Sequence, residues 1–167
     1  LVSSSAASDV YKRQIVNTSS IFGLLSVPSQ SIYHVGKFGV RGFTESLALE
    51  MQLNKETVEV YSVHPGHIGT NIFSASRFKN FEPGSTMFGK ADTPEEAGKI
   101  FKENAPTSAK SAAKIILKNI RKKNKRILVG IDAHAYDLLQ RIFPKWYIYF
   151  LPLVSIIRNL FPKDKIN

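Results

Sequence analysis

The chain has 167 residues, of which 43% are hydrophobic and 11% aromatic, and its 23 Lys and Arg residues outnumber its 13 Asp and Glu residues, for a formal charge of +10. This composition is typical of a globular protein with one domain of ordinary size and a sizeable core. Because the chain contains no cysteine, disulfides, a thiolate nucleophile and cysteine-ligated metal centres are excluded. Its four histidines show no metal-ligand spacing, so no metal site is expected.

The first 14 residues, LVSSSAASDVYKRQ, are mostly small or polar and show neither a hydrophobic period nor a signal-peptide pattern. Residues 4–14 resemble the in-frame translation of an adapter used in sequencing libraries, and a genuine disordered amino terminus is the alternative. We therefore predict a non-native or disordered leader over residues 1–14. The domain itself is predicted to extend from Ile15 to residue 167, with an apolar helical tail over residues 144–167.

The first half of the domain alternates between strand and helix signals. Residues 15–17 are a short apolar run that leads into a polar loop, which predicts a buried strand. A helix is predicted from about residue 30 to residue 53, with one amphipathic stripe on its surface. The members of that stripe are Val40, Phe43, Leu47 and Met51. Residues 58–63 are rich in β-branched and aromatic side chains and predict a second strand, which stops at a turn over residues 64–66.

The second half continues this alternation. Residues 73–90 show no period and contain Gly and Pro, which predicts a long loop of the kind that often covers a site. Thr93, followed by proline and two glutamates, predicts a capped helix start. A further helix is predicted from Thr107 or Ser108 onward, followed by a short strand over residues 126–130.

Five positive charges are clustered where that further helix is expected to end: Arg121, Lys122, Lys123, Lys125 and Arg126. Such a cluster is able to bind phosphate or anionic lipid, but cations at a helix end also complement the helix dipole and are usually solvated. The charge is therefore a local feature, and no nucleic-acid partner is expected.

The carboxyl end of the chain is apolar and helical in character. Helices are predicted over residues 133–143 and 146–161, interrupted by Pro144 and Pro152. The most apolar stretch is about 12 residues long, whereas about 20 are needed to cross a bilayer. The alternatives for this tail are contact with a membrane surface and packing over the sheet or against a second copy.

Strands that alternate with helices predict an α/β fold with a Rossmann-like, doubly wound parallel sheet. Ligands of such sheets collect outside the carboxyl ends of the strands. Two polar loops occupy that position, residues 17–23 after the first strand and residues 65–70 after the second.

Tyr33 and Lys37 are the main candidates for chemistry. They lie four residues apart on the predicted helix, so their side chains share one face. A Tyr-x-x-x-Lys pair alone is weak evidence, but Ser20 after the preceding strand and Thr70 after the Pro-Gly turn extend the pattern. Each of these side chains also has a structural interpretation, as a cap or as a solvated surface group.

Three segments together resemble the classical short-chain dehydrogenases/reductases. They are Asn-Thr-Ser-Ser at residues 17–20 with Gly23, Tyr-His-Val-Gly-Lys at residues 33–37, and Pro-Gly-His-Ile-Gly-Thr at residues 65–70. The resemblance implies an NAD(P)-dependent oxidoreductase that interconverts a carbonyl and an alcohol, with NAD and NADP not distinguished. The implied catalytic residues are Ser20, Tyr33 and Lys37. The implied cofactor-binding residues are Tyr33, Lys37, Gly66, Ile68 and Thr70.

In that family, the tyrosine that matches Tyr33 exchanges a proton with the substrate oxygen. The lysine that matches Lys37 favours the anion of that phenol and hydrogen-bonds the nicotinamide ribose, and the serine that matches Ser20 polarises the substrate oxygen. The residue types agree with these roles, because a free phenol has a pKa of about 10 and needs a neighbouring cation to exchange protons easily at neutral pH.

The resemblance also implies that part of the family's fold is missing. The family opens with a strand, a glycine-rich turn and a helix that bind pyrophosphate, and no Gly-x-Gly-x-x-Gly segment occurs in this sequence. The chain then corresponds to the catalytic half, with about the last three strands of the sheet. We predict that it has negligible activity alone and that the strand at Ile15 has an unpaired apolar edge.

Apolar residues flank the two loops: Ile21, Phe22, Leu24, Leu25, Val27, Phe73, Phe78 and Phe81. They favour a hydrophobic small-molecule substrate, such as a lipid-like, steroid-like or retinoid-like carbonyl or alcohol, or they are ordinary core residues. We expect a cytoplasmic protein that is a homo-oligomer in its full-length form, with peripheral membrane contact through the tail as an open alternative. The alternative function is a non-catalytic remnant or a membrane-surface interaction module.

Overall fold

The computed structural model describes residues 13–28, 30–72, 75 and 91–149. In chain order its elements are strand β1 (Gln14–Thr18), a 3-10 turn (Ile21–Gly23), helix α1 (Ser31–Leu53), strand β2 (Glu59–Pro65), strand β3 (Ile68–Gly69), helix α2 (Pro94–Glu103), strand β4 (Thr107–Ser108), helix α3 (Ala109–Arg121), strand β5 (Arg126–Val129) and helix α4 (Ile131–Ile142). Apart from Ala75, the predicted loop over residues 73–90 lies outside the described residues, as do residues 1–12 of the predicted leader and the tail beyond residue 149.

Three parallel strands form the main sheet, in the order β1-β2-β5. The two short strands β3 and β4 pair separately, also in parallel. These pairings confirm the expected α/β fold with a parallel sheet. Within the described residues β1 pairs only with β2, and its Ile15 and Val16 are 36% and 40% exposed. The expected unpaired apolar edge is therefore present in this part of the chain.

One face of the sheet is apolar. Side chains alternate along β2, and its Tyr61 and Val63 pack with Ile127 and Val129 of β5 against α3. Helix α3 contributes Ala112 and the isoleucines of its inner stripe. Burial of each large apolar side chain contributes about 1.5–3 kcal/mol, so this face forms the hydrophobic core of the described residues.

The opposite face of the sheet, which α1 covers, combines the buried apolar side chain of Val60 with several polar groups. Asn17 of β1 donates from Nδ2 to Oγ1 of Thr44 in α1 at 3.0 Å. Ser62 of β2 is in register with Asn17, and Ser62 and His64 are buried on the same side of their strand. The fully buried residues of α1 are likewise polar, namely His34 and Thr44.

The amphipathic stripe predicted on α1 is wrong for one of its members. Phe43 is 62% exposed, whereas Val40, Leu47 and Met51 are half-buried. The contact face is centred instead on Thr44, because the sheet beneath it presents polar groups that need hydrogen-bond partners. Apolar periodicity therefore identified the helix but not the side that faces the sheet.

Within the described residues the predicted strands and helices are present with small shifts at their ends, whereas the short strands β3 and β4 were not predicted. Most of the predicted helix over residues 146–161 lies outside these residues. Strand β1 is one residue longer at each end than expected, and α1 begins at Ser31. The prediction that the first strand is buried is wrong, because one edge of β1 has no neighbouring strand among the described residues and most of its residues are exposed. His64 and Pro65, which were predicted to open a turn, belong to β2. The reason is that parallel pairing with β5 continues as far as Pro65 and Val129.

Helix α2 begins with the predicted cap. Oγ1 of Thr93 accepts a hydrogen bond from the N–H of Glu96 at 3.2 Å, and the Glu96 carboxylate accepts one from the N–H of Asp92 at 3.0 Å. Ser108 caps α3 in a similar way, with Oγ accepting from the N–H of Ser111 at 3.2 Å. These local contacts determine where both helices begin.

The basic cluster at residues 121–126 is partly paired. Nζ of Lys125 binds the carboxylate of Glu59, and Nη2 of Arg126 lies 2.6 Å from Oδ1 of Asp137. Burial lowers the pKa of Arg126, and the Asp137 carboxylate offsets part of this shift. These two cations therefore stabilise the fold, and they are not free solvated charges.

Candidate functional site

The two polar loops lie side by side at the carboxyl edge of the sheet, as predicted. Strands β1 and β2 are adjacent and parallel, and the N–H of Ser19 donates to the carbonyl of Val63 at 2.8 Å. This bond continues the strand pairing into the first loop. Ser20 is therefore held next to the end of β2, where the Pro-Gly turn begins.

Ser20 caps the 3-10 turn that follows β1. Its Oγ accepts a hydrogen bond from the N–H of Phe22 at 3.1 Å, and the residue is buried. This is the structural role open to a serine in a turn. A hydroxyl that accepts a bond still has its own proton to donate, so Ser20 is also able to bind a substrate oxygen.

Tyr33 and Lys37 share one face of α1, as their spacing predicts. Nζ of Lys37 lies 5.5 Å from the centre of the Tyr33 ring, and Tyr33 is 39% exposed. The same Nζ donates to the carbonyl of Thr18 at 3.1 Å, and the carbonyl of Lys37 accepts from Oγ of Ser19 at 2.8 Å. Lys37 thus joins the helix to the loop that carries Ser20.

Gly23 allows this loop to approach α1 closely. A Cβ at this position would lie 2.7 Å from the carbonyl oxygen of Lys37 and would overlap Oγ of Ser19. Any larger residue would separate the loop from the helix. Gly23 therefore belongs to the architecture of the site, although it carries no chemistry itself.

His34 holds the far end of the same loop. The carbonyl oxygen of Phe22 lies 2.8 Å from its Nδ1 and can only accept, so Nδ1 carries a proton, and Nε2 accepts from the N–H of Val27 at 2.9 Å. The ring of Phe22 contacts the rings of Tyr33 and His34 edge-on, with centroids 6.1 and 5.3 Å away. No pattern in the sequence indicates this role, because the partners of His34 are backbone groups of another segment.

His64 supports Ser20 from the neighbouring strand. It is fully buried, its Nδ1 donates to the carbonyl of Ser20 at 3.1 Å, and its Nε2 bonds Oγ of Ser62 at 2.9 Å. Burial lowers the pKa of His64, since it penalises the charged imidazolium, and the bond to Ser20 offsets part of that shift. His64 is therefore neutral at pH 7. In the described part of the chain, no group of three or more His, Asp or Glu side chains is placed to hold a metal ion.

The Pro-Gly turn leads from β2 into β3. The side chain of Ile68 is buried in the core, so only its backbone groups are available to a ligand. Oγ1 of Thr70 accepts from the N–H of Ile72 at 3.4 Å, a contact of the cap type. Gly66, Ile68 and Thr70 thus lie in one short segment, which contains β3 and follows β2.

Part of the expected apolar substrate wall belongs to the core. Ile21, Leu24 and Leu25 are 6%, 1% and 1% exposed, which supports the core alternative for these three residues. Phe22 and Val27 are half-buried and lie beside Tyr33 and His34. The phenylalanines at positions 73, 78 and 81 lie outside the described residues.

The start of the tail contacts the loop that follows Ser20. Tyr147 is buried, and its hydroxyl oxygen accepts from the N–H of Ser26 at 3.4 Å. Its neighbours Trp146, Ile148 and Tyr149 are 60–71% exposed. Among the described helices, none combines the length and the hydropathy that a membrane span requires.

Comparison with known proteins finds similarity to short-chain dehydrogenases over part of the chain. Residues 8–80 match the family model of the short chain dehydrogenases. A Mycobacterium tuberculosis protein named as an oxidoreductase, SadH, is 39% identical over 133 residues, or 80% of this chain and 45% of SadH. Cyclopentanol dehydrogenase from Comamonas is 38% identical over 90 residues, or 52% of this chain and 35% of that enzyme. The chain spans less than half the length of these curated relatives.

Solved structures give the same result for the fold. A short chain dehydrogenase/reductase from Burkholderia phymatum, solved in complex with NAD, superposes with a TM-score of 0.62 at 23% identity, covering 80% of this chain and 48% of that one. The parallel sheet and its helices are therefore arranged as in a Rossmann-type fold. Together with the sequence matches, this confirms the resemblance to the short-chain dehydrogenases/reductases.

Proposed function

We propose that this chain, a short-chain dehydrogenase/reductase sequence with the matching fold, is the catalytic half of an NAD(P)-dependent oxidoreductase that interconverts a carbonyl and an alcohol. The observation that carries the proposal is the attachment of Lys37 to the loop of Ser20 through Thr18 and Ser19. This attachment holds the loop of Ser20 against the helix that carries Tyr33 and Lys37, at the carboxyl edge of the sheet.

Tyr33 acts as the general acid and base. In reduction, its hydroxyl donates a proton to the substrate oxygen, and in oxidation the phenolate removes the proton from the alcohol. The Lys37 ammonium, 5.5 Å from the ring centre, favours the phenolate because opposite charges attract. The Ser20 hydroxyl donates a hydrogen bond to the same oxygen and so stabilises the negative charge that develops there.

The donor set fits a nicotinamide cofactor, which supplies or accepts the hydride. The Lys37 ammonium has three donor protons, and its bond to Thr18 leaves others for ribose hydroxyls. In this proposal, backbone groups of residues 65–70 hold the carboxamide end. The related 15-hydroxyprostaglandin dehydrogenase is named as NAD(+)-dependent, which supports the cofactor class and does not decide between NAD and NADP for this chain.

We propose a hydrophobic secondary alcohol or its ketone as the substrate. Relatives are named for cyclopentanol, cyclohexanol and 15-hydroxyprostaglandin. Each of these molecules carries a hydroxyl group on a largely apolar skeleton. Half-buried Phe22 against Tyr33 offers an apolar contact beside the reacting oxygen. A cytoplasmic homo-oligomer remains our proposal for the full-length protein, supported by apolar residues exposed on α1 such as Ile32 and Val35, at 84% and 72%.

The test uses a restored protein, in which the chain follows the upstream segment of its own reading frame. Tyr33→Phe should lower kcat for a secondary alcohol or ketone by about 10²- to 10⁴-fold. Tyr136→Phe is the matched control, because Tyr136 is 37% exposed, close to the 39% of Tyr33, and lies on α4. Unchanged turnover in Tyr33→Phe would refute the proposed function.

The chain alone should show no saturable turnover of NADH or NADPH. It contains no glycine-rich phosphate loop, and its β1 has an unpaired edge within the described residues. Saturable oxidation of either reduced cofactor by the purified 167-residue chain would contradict this part of the proposal.

A membrane-surface module is the second candidate function. Trp146 and Tyr149, at 61% and 71% exposure, follow Lys145 in the tail, and aromatic residues beside cations are typical of membrane interfaces. Flotation with anionic vesicles, with and without the residues after Lys145, tests this function. Loss of flotation on truncation supports the module, and absence of flotation in the intact chain removes it.

A further inference from the structure

The Pro-Gly turn is hydrogen-bonded to Asp132, a residue that is distant in sequence. The Asp132 side chain, in the first turn of α4, accepts a hydrogen bond from the N–H of His67 at 2.5 Å through Oδ2. This bond crosses from the helix after β5 to the loop after β2. A hydrogen bond from an N–H to a carboxylate is charge-assisted, and such bonds are stronger than those between neutral groups.

The same carboxylate lies close to two glycines, Gly66 and Gly130. A Cβ on Gly66 would overlap both oxygens of Asp132, although the backbone of Gly66 does not have the positive φ that favours glycine. A Cβ on Gly130, whose φ is +105°, would overlap Oδ1 of Asp132 as well. A side chain at position 66 would therefore have to displace the Asp132 carboxylate, whereas the backbone conformation of Gly66 by itself does not favour glycine.

One oxygen of the Asp132 carboxylate lies in an energetically unfavourable environment. Its Oδ1 is buried and has no hydrogen-bond partner among the described residues. A buried carboxylate oxygen without a donor is unfavourable, and the dipole at the start of α4 offsets part of this cost. Among the described residues, the hydrogen bond of this side chain is the one that Oδ2 accepts from the N–H of His67.

We infer that Asp132 is a positioning residue for the Pro65–Thr70 loop, and through it for the backbone groups that hold the nicotinamide. The link to the nicotinamide rests on the proposed function, whereas the positioning of the loop does not. The loop is clamped on its other side by His67, whose Nε2 lies 2.6 Å from the carbonyl of Phe101 in α2. Asp132 thus binds the backbone N–H of His67, and the ring of His67 binds the carbonyl of Phe101.

The first experiment uses the 167-residue chain and needs no activity. Amide hydrogen exchange, followed by NMR, should show His67 losing protection by about tenfold or more in Asp132→Ala, while Asp132→Asn, which still accepts a bond, retains most of it. Asp137→Ala is the matched control on the same helix, because Asp137 binds Arg126 and Arg141 and does not touch the loop. Equal protection of His67 in Asp132→Ala and in the wild type would overturn the inference.

The second experiment tests the link to the cofactor in the restored protein. Asp132→Ala should raise KM for the cofactor by about tenfold with a smaller change in kcat, and Asp137→Ala should leave that KM unchanged. If both variants alter KM equally, the role is merely structural and the inference fails. An inactive restored wild type would instead refute the proposed function, with the exchange result still deciding the loop contact.

The third experiment uses the predicted overlap. Gly66→Ala should impair His67 protection and cofactor KM, and Gly66→Ala combined with Asp132→Ala should be less impaired than Gly66→Ala alone, because the carboxylate is gone. Additive effects in the double variant would show that the two positions do not interact, which contradicts the assignment.

Discussion

The two faces of the sheet are built by different physics. On the α3 face, Tyr61, Val63 and Ile127 are each 1% exposed and pack in an apolar cluster. On the α1 face, Asn17, Ser19 and His64 are instead held by directional hydrogen bonds. Apolar contacts tolerate small displacements, whereas a buried polar network stabilises only one arrangement. The apolar face therefore supplies stability, and the polar face positions the site.

The largest expected effect is on the apolar face. Ile127→Ala should lower the free energy of unfolding by about 3 kcal/mol, because it removes buried methyl groups and leaves a cavity. Chemical denaturation measures the loss, and the backbone NMR shifts of Ser19 and Lys37 should stay unchanged. Leu138→Ala, at a position 57% exposed, is the control and should cost less than about 0.5 kcal/mol. Large shift changes at Ser19 in Ile127→Ala would break the division between the faces.

An intermediate effect is expected where the site loop meets α1. Gly23→Ala should lower the free energy of unfolding by about 2 kcal/mol and disturb the bond from Ser19 to the carbonyl of Lys37, because the new Cβ occupies their space. Gly42→Ala is the control, since nothing lies within 4 Å of a Cβ there, and it should stabilise α1 by about 0.5–1 kcal/mol. If both substitutions changed the free energy of unfolding in the same direction, the close approach of the loop to α1 would not require glycine at position 23.

The smallest expected effect depends on pH and concerns His64. Its folded-state pKa is lowered from 6.5, so the unfolded chain takes up a proton that the folded chain does not. Stability is complete above pH 6.5 and is lost as the pH falls from 6.5 toward the folded-state pKa, with a slope of at most about 1.4 kcal/mol per pH unit.

Urea unfolding at several pH values measures this slope. His64→Gln should remove the contribution, and His134→Gln, at an exposed position on α4, should leave it in place. An identical slope in His64→Gln and the wild type would mean that burial on the polar face does not affect this imidazole.

The elements with local signals were the ones that the sequence predicted well. The cap at Thr93 and the limits of α1 depend on neighbouring residues, so they were predicted to within about a residue or two. The pairing of Tyr33 with Lys37 follows from helical periodicity alone. The buried side of α1 was predicted incorrectly at Phe43, because periodicity measures apolarity and this helix contacts a polar surface.

The residues that hold the site together could not be predicted in this way. His34 binds backbone groups of the preceding loop, His64 binds the carbonyl of Ser20 on a neighbouring strand, and Asp132 binds the N–H of His67. The contact between Asp132 and His67 spans 65 positions of the chain. No motif or spacing indicates such bonds, since a backbone acceptor or donor is present at almost every residue.

The sequence by itself determined the α/β alternation and the helix starts, because each depends on residues a few positions apart. The Ser, Tyr and Lys of the candidate site came from the resemblance of three segments to a family, and their roles stay a prediction. Only the tertiary structure decided which side of α1 is buried, which neighbouring atoms a side chain at positions 23 and 66 would overlap, and which side chains hold the two loops. Those outcomes depend on how closely segments approach one another after folding. That distance is set by packing and by the hydrogen-bond demands of buried polar groups.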